Sequence, residues 1–382
     1  MQKSKVIALI GNTDVTMLGF RSDLIQALVH QGHKVYAFVC EYTAEGLSQI
    51  KSLGVDVITY SMSRGGLNPF SDIKAMFELK NKLQKINPDI VFSYFSKPVV
   101  YGSLAAKIAK VPFVVGMIEG LGSPFTQHPS GQSLKIKIIK YVQIGLYHIV
   151  FPFLNKIIFL NNDDPIDLVS NHKIKHKKNA LTVLGPIGVN LKKYEYIRWD
   201  VSKEVSFIFI ARLIGEKGIF EYVAAAKEIK RIYPHVSFKI IGGLDLENPD
   251  GLSQEALDQL TKEKIVDYYG YVENVPEFIK NSAVFVLPSY YREGVPRSIQ
   301  EAMAMGRPVI TTNVPGCKDT VISGETGYLV PKWDVSALVA KMEIFITKPE
   351  LINQMGENSY KFALEYFDSV KINQKLIEIL EV

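Results

Sequence analysis

The chain has 382 residues, 47% hydrophobic and 22% charged, which is ordinary globular material with room for two domains and separate cores. A formal charge of +5 is too mild to point to nucleic acid, and two cysteines, Cys40 and Cys317, are too few for a disulfide framework and lack metal-ligand spacing. Both read as packing residues in a reducing compartment.

The start, MQKSKVIALIGN, has an apolar run that stops at Gly-Asn without a small-residue cleavage site, so it reads as a first buried strand and not a signal peptide. No stretch reaches the roughly 18 uninterrupted apolar residues of a membrane span. The nearest, Ile144 to Leu160, is broken by His148, Pro152, Asn155 and Lys156 and splits into a helix and a strand.

In chain order, short apolar runs alternate with helical patterns. Lys5–Ile10, Lys34–Val39, Asp56–Tyr60, Asp89–Tyr94, Pro112–Met117 and Lys156–Leu160 predict buried parallel strands. Helices are predicted between them at Phe20–Gln31 and Pro69–Ile86, the second stopped by Asn87-Pro88. LGPIGVNLKKYE, Leu184–Glu195, is rich in Gly, Pro and polar residues and reads as a hinge. Beyond it the rhythm repeats: strands at Ser206–Ile210, Ser237–Ile241, Val266–Tyr269, Ala283–Leu287 and Pro308–Thr312, with helices at Ile219–Tyr233, Ser253–Glu263 and Arg297–Met305. The expected architecture is α/β, two Rossmann-like domains facing each other across a cleft, with ligands at the carboxyl ends of the strands. The boundaries are 1–185 and 186–365; a last helical segment, 366–382, is able to pack back on the first domain.

YYREGVPRSIQEAMAMGRPVI, Tyr290–Ile310, carries the densest chemistry. A strand ends, a turn follows, and Pro296 sits where a helix starts, so Gly294, Val295, Pro296 and Arg297 present backbone and a positive helix end suited to phosphate. Glu293 and Glu301 flank that anion site. Carboxylates there need neutral donors, and sugar and ribose hydroxyls are such donors. ARLIGEKGI, Ala211–Ile219, sets Arg212 and Lys217 at the end of another strand, where fixed cations neutralise a departing diphosphate. VPGCKDTVISGETGYLV adds a glycine-rich loop with Asp319. In GYVENVPEF, Tyr271 and Val275 either seat a flat base or belong to the core.

These four segments resemble, in order and spacing, the carboxyl-terminal domain of the family 4 retaining glycosyltransferases of the GT-B fold, over about Ser206–Pro331. The resemblance implies that Arg212 and Lys217 contact the donor diphosphate, Glu293 the donor sugar and Glu301 the ribose, with Gly294–Arg297 supplying amides. Asp319 stands where many members carry Glu. The donor is then a UDP-sugar, with no cofactor and no metal, since no D-x-D motif is present.

On the acceptor side, GNTDVTMLGFRSDL is expected to form the first strand-to-helix loop, with Gly19 permitting close approach to donor or acceptor. Glu119, in MIEGLGSPF, either orients an acceptor hydroxyl or is a buried structural carboxylate. His128 is a lone histidine in TQHPSG and a further candidate. Between Gly120 and Asn162 there is no Asp or Glu, whereas Lys135, Lys137, Lys140 and Lys156 are present with apolar residues at helical spacing. The segment 133–157 therefore reads either as a helix on an anionic membrane surface or as a core helix with a solvated basic face.

The expected activity is retaining transfer of a hexose or N-acetylhexosamine, N-acetylgalactosamine first, to a hydroxyl of a polyprenyl-diphosphate-linked saccharide in glycan, O-antigen or capsule assembly. The expected location is the cytoplasmic face of the inner membrane, as a peripheral protein. The alternatives are a sugar-nucleotide epimerase of the same fold and a non-enzymatic sugar-binding protein. A phosphorylase lacks support, as no pyridoxal-phosphate lysine site is recognisable.

Overall fold

The computed structural model describes residues 3–63, 69–246, 248 and 250–381. Met1 and Gln2 of the predicted start and Val382 of the predicted last segment lie outside them. Contacts group the chain into two compact units: Met1–Pro124 with Ser133–Ile187 and Ser369–Val382, and Phe125–Gln132 with Gly188–Asp368.

In the first unit, the described residues form a parallel sheet of β1 (Val6–Ile10), β2 (Lys34–Val39), β3 (Asp56–Thr59), β4 (Ile90–Tyr94), β5 (Phe113–Ile118), β6 (Lys156–Phe159) and β7 (Leu181–Val183), in the order β3-β2-β1-β4-β5-β6-β7. Its helices are α1 (Asp14–His30), α2 (Ala44–Ser52), α3 (Pro69–Ile86), α4 (Ser103–Ile108), α5 (Leu134–Val150) and α6 (Asp163–Pro165). The central strands VIALI, IVFSY and FVVGMI read as near-continuous apolar runs because helices cover both faces of a parallel sheet. Every residue of β4 is buried.

The second unit repeats the plan with β8 (Ser206–Ile210), β9 (Ser237–Ile241), β10 (Asp267–Tyr268), β11 (Val284–Leu287), β12 (Val309–Thr312) and β13 (Gly327–Val330), ordered β10-β9-β8-β11-β12-β13. Its helices are α7 (Ile219–Ile232), α8 (Gln254–Lys262), α9 (Val275–Lys280), α10 (Arg297–Ala304), α11 (Val335–Thr347) and α12 (Glu350–Tyr366). The strand order reverses between β8 and β11, and in such sheets the loops leaving the two switch-point strands shape the ligand site. Those loops carry Arg212 to Gly218 and Ser289 to Pro296.

The final helix, α13 (Ser369–Ile379), groups with the first unit, where Ser369 Oγ donates to Asp23 of α1 at 2.6 Å.

The structure departs from the predicted elements at the start of α1, at β7 and β13, and at the segment 125–132. α1 starts at Asp14, six residues before the predicted Phe20, because Thr13 caps it: its Oγ1 accepts from Thr16 N at 3.0 Å and Thr16 returns the bond in a capping box. β7 and β13 are short and partly exposed, so neither shows the apolar run that marks a buried strand. The segment 125–132 lies with the second unit although the sequence reading put it inside a first domain of 1–185.

Candidate functional site

At the switch point of the second unit, two loops are fastened together before any side chain meets. The carbonyl of Glu216 accepts from the backbone N–H groups of Tyr290 and Tyr291, each at 2.9 Å, and from Ser289 Oγ at 3.1 Å. Gly218 follows in a left-handed conformation with φ of 81°, and a Cβ built there would sit 2.2 Å from the Pro288 carbonyl oxygen. Only glycine permits that approach. The consequence is that Lys217, between these two contacts, is delivered to Glu293, and its Nζ pairs with Glu293 Oε1. Ser289 Oγ bonds the same oxygen at 3.3 Å, and Lys217 Nζ lies 4.9 Å from the centre of the Tyr291 ring.

A second glycine fixes the other side. Gly316, with φ of 83°, packs its backbone against Glu293 and Gly294, and a Cβ there would meet the Gly294 carbonyl oxygen at 2.5 Å. Asp319 closes this loop on itself by accepting from Gly316 N at 3.0 Å. That contact gives Asp319 a structural task.

Gly294 and Val295 lead to Pro296, which caps α10 without any side-chain bond to the first-turn amides. The positive end of the helix dipole therefore carries no side-chain cap, an arrangement that suits an anion. One turn inside, Glu301 is buried; its Oε1 accepts from Tyr194 Oη at 2.7 Å and from Arg297 Nε at 3.0 Å. Burial, and then the charge of Glu301, hold the Tyr194 phenol well above its usual range, so it stays a donor. The two carboxylates that flank the helix start each have a cation of their own.

Arg212 is half exposed at the rim, paired with Asp245 at 3.1 Å. Tyr271 is 71% exposed and Val275 is the first residue of α9, packed on the edge of the core. Val275 thus packs against the core, whereas Tyr271 does not.

Candidates from the amino-terminal half separate. Gly19 lies within α1 and not in the predicted loop, which the cap at Thr13 shortens to Gly11–Thr13; nothing stands within 4 Å of a Cβ built on Gly19. Glu119 pairs with Arg21, whose side chain is 2% exposed and lies 4.5 Å from the centre of the Tyr94 ring. A buried guanidinium requires a partner, and Glu119 supplies it, so the structural reading accounts for its position. His128 sits in the second unit, where its Nε2 faces the buried Glu216 carboxylate at 3.5 Å and its ring meets Tyr290 edge-on at 6.1 Å. Cys317 is fully buried, and burial, reinforced by Glu293, pushes its thiol up to about 12, consistent with a packing residue.

Sequence reasoning missed Ser289 and Tyr194. Both are ordinary polar residues in their local context, and neither spacing nor composition announces the carboxylates they reach across 4 and 107 positions.

Residues 198–362 match the family of glycosyl transferases group 1, and residues 6–151 match the glycosyl transferase 4-like family. The chain is a glycosyltransferase of these families. It is 29% identical, over 98% of both chains, to the N,N'-diacetylbacillosaminyl-diphospho-undecaprenol alpha-1,3-N-acetylgalactosaminyltransferase of Campylobacter jejuni. It is 28% identical to the Escherichia coli UDP-Gal:alpha-D-GlcNAc-diphosphoundecaprenol alpha-1,3-galactosyltransferase, over 81% of this chain and 79% of the other. The Anabaena protein HepE, crystallised with UDP and glucose, superposes with a TM-score of 0.77 over 99% of both chains at 17% identity. With its two parallel sheets, this glycosyltransferase has the GT-B fold.

If the Gly218 contact holds Lys217 in place, Gly218→Ala costs at least about 1–2 kcal/mol in urea unfolding, from the left-handed backbone alone. Gly243→Ala, where a built Cβ meets nothing within 4 Å, changes stability by no more than about 0.5 kcal/mol. Equal effects of the two would contradict this reading.

Proposed function

We propose that this glycosyltransferase moves a hexose or N-acetylhexosamine, N-acetylgalactosamine first among them, from a UDP-sugar to a hydroxyl of a polyprenyl-diphosphate-linked saccharide, with retention at the anomeric carbon. The observation that carries the reading is the Lys217–Glu293 pair at the uncapped start of α10, one turn from the Glu301–Tyr194–Arg297 group. A cation and helix amides suit a diphosphate; carboxylates on each side suit the hydroxyls of a sugar and a ribose. Two relatives whose names specify undecaprenyl-diphosphate acceptors and α linkages support the acceptor class and the stereochemistry.

In this reading the diphosphate lies over the helix start, at the backbone N–H groups of Gly294, Val295 and Arg297, with Lys217 and Arg212 taking its charge. Glu293, oriented by Lys217 and Ser289, accepts from hydroxyls of the donor sugar. Glu301 Oε1 is taken by Tyr194 and Arg297, and Oε2 receives the ribose hydroxyls. As the bond from the anomeric carbon to the phosphate oxygen breaks, the acceptor oxygen bonds that carbon on the same face. Its proton passes to the departing phosphate. No carboxylate forms a covalent intermediate, and no resident metal or cofactor takes part. Lys217 acts by stabilising charge that grows as the diphosphate leaves.

The acceptor brings the enzyme to a membrane, and α5 suits one. Leu134, Ile138, Tyr141, Val142 and Ile149 are 74, 52, 72, 41 and 59% exposed and share one stripe of the helix, while Ile144, Tyr147 and Val150 are buried on the opposite side. Lys135 and Lys137, both exposed, flank the stripe. Such a helix lies in the interface of an anionic bilayer with its apolar stripe inward. No described helix is long and apolar enough to cross a membrane. We place the enzyme on the cytoplasmic face of the inner membrane.

Incubation of the protein with UDP-N-acetylgalactosamine and an undecaprenyl-diphosphate-linked N-acetylhexosamine should yield an α-linked disaccharide by NMR. Lys217→Ala and Glu293→Gln should each lower kcat by about 10²–10³-fold. A β-linked product, or wild-type rates in both variants, would sink the mechanism; interconversion of UDP-sugars without acceptor would indicate an epimerase. On the membrane side, the protein should sediment with phosphatidylcholine vesicles only when they contain phosphatidylglycerol. Ile138→Ser with Tyr141→Ser should weaken that binding. Unchanged binding by the double variant would remove α5 from the membrane surface.

A further inference from the structure

The second unit holds a pocket of about 690 Å³ that the donor reading leaves unused. Its walls include Tyr290, Arg292, Asn313, Lys332 and Trp333, with Gln127 from the segment 125–132, and among the described residues no acidic side chain lines it. The pocket is built by specific contacts. Arg292 N donates to Thr126 Oγ1 at 3.0 Å, and Lys332 Nζ donates to Gln127 Oε1 at 2.5 Å while lying 4.2 Å from the centre of the Trp333 ring. Trp333 meets Tyr290 edge-on at 5.5 Å.

Two features set Trp333 apart in the pocket wall. Its backbone is left-handed, φ 66°, which is rare for a bulky residue and persists only where its surroundings impose it. Its indole Nε1 is buried with no hydrogen-bond partner, whereas buried indole N–H groups ordinarily find one. An aromatic wall suits the apolar face of a pyranose. Asn313 and Gln127 suit its hydroxyl or acetamido groups, and Arg292 with Lys332 suit an attached phosphate. A volume of this size holds one sugar with its phosphates.

The pocket also has a definite neighbour. Arg292 lines it while the next residue, Glu293, pairs with Lys217. Pro315 lines it while the next residue, Gly316, packs on Glu293 and Gly294. The pocket and the proposed donor-sugar side thus share consecutive residues of the same two turns. We propose that the Trp333 pocket binds the pyranose and diphosphate of the acceptor, an anionic sugar diphosphate, while the Lys217–Glu293 side binds the donor. This rests on the function proposed above and assigns part of acceptor recognition to the unit that holds the donor.

The two tryptophans, Trp199 and Trp333, make 19F NMR of the 5-fluorotryptophan-labelled wild type a direct test, with Trp333→Phe assigning the resonances. The probe is N-acetylglucosaminyl diphosphate carrying a short prenyl chain, titrated with and without saturating UDP. The Trp333 resonance should shift saturably with the probe in both cases and not with UDP alone, and Lys332→Ala should raise the apparent Kd at least tenfold. An unshifted Trp333 resonance overturns the assignment, as does a shift produced by UDP alone or a probe that UDP displaces. UDP-induced thermal stabilisation, measured in parallel, reports the donor site by itself. Its absence counts against the proposed function, whereas its presence with a silent Trp333 counts against the pocket alone.

Discussion

The site depends on one backbone carbonyl, that of Glu216. Three donors from the loop after β11 converge on it, and each such bond contributes about 1 kcal/mol net. Their larger effect is positional, because they tie the turn after β8 to the turn that carries Glu293. Gly218 makes the approach possible from below, and the buried Glu216 side chain meets His128 above. Lys217 has little freedom left between these restraints. A flexible lysine thereby becomes a fixed charge, which the proposed role of stabilising a leaving diphosphate requires, since a preoriented group needs no reorganisation as the bond breaks.

The same arrangement explains how two carboxylates would coexist with the proposed diphosphate. Glu293 is matched by Lys217, and Glu301 by Arg297 and the Tyr194 hydroxyl. Each acid is locally neutralised, so the helix end and the remaining cations still favour phosphate. In the first unit the same rule acts structurally: Arg21, buried among aromatic rings, is tolerated because Glu119 answers its charge.

Much of this was legible in the sequence. Buried parallel strands such as VIALI and VFVL announce themselves as apolar runs, and Gly-Pro-rich turns at their carboxyl ends mark the loops that bring Lys217 and Glu293 together. What stayed hidden depends on tertiary context. Thr13 and Thr16 form a capping box that lacks the usual acidic partner, so the start of α1 and the position of Gly19 were misread. His128 belongs by chain order to the first half, yet its segment folds into the second unit, which no local pattern encodes. Trp333 follows Pro331 and Lys332 in a stretch with no periodicity, and its significance lies in a backbone angle and a place in a pocket wall that only coordinates reveal.

The most direct test of the donor site is a thermal-shift panel of UDP, GDP and ADP on the wild type and on Glu301→Ala. A nucleotide at about one hundred times its dissociation constant adds roughly 2.7 kcal/mol of stability, a readily measured rise in Tm. The account predicts that UDP alone raises the Tm and that Glu301→Ala abolishes the rise. A wild type unmoved by every nucleotide, or a variant that responds as the wild type does, would contradict it.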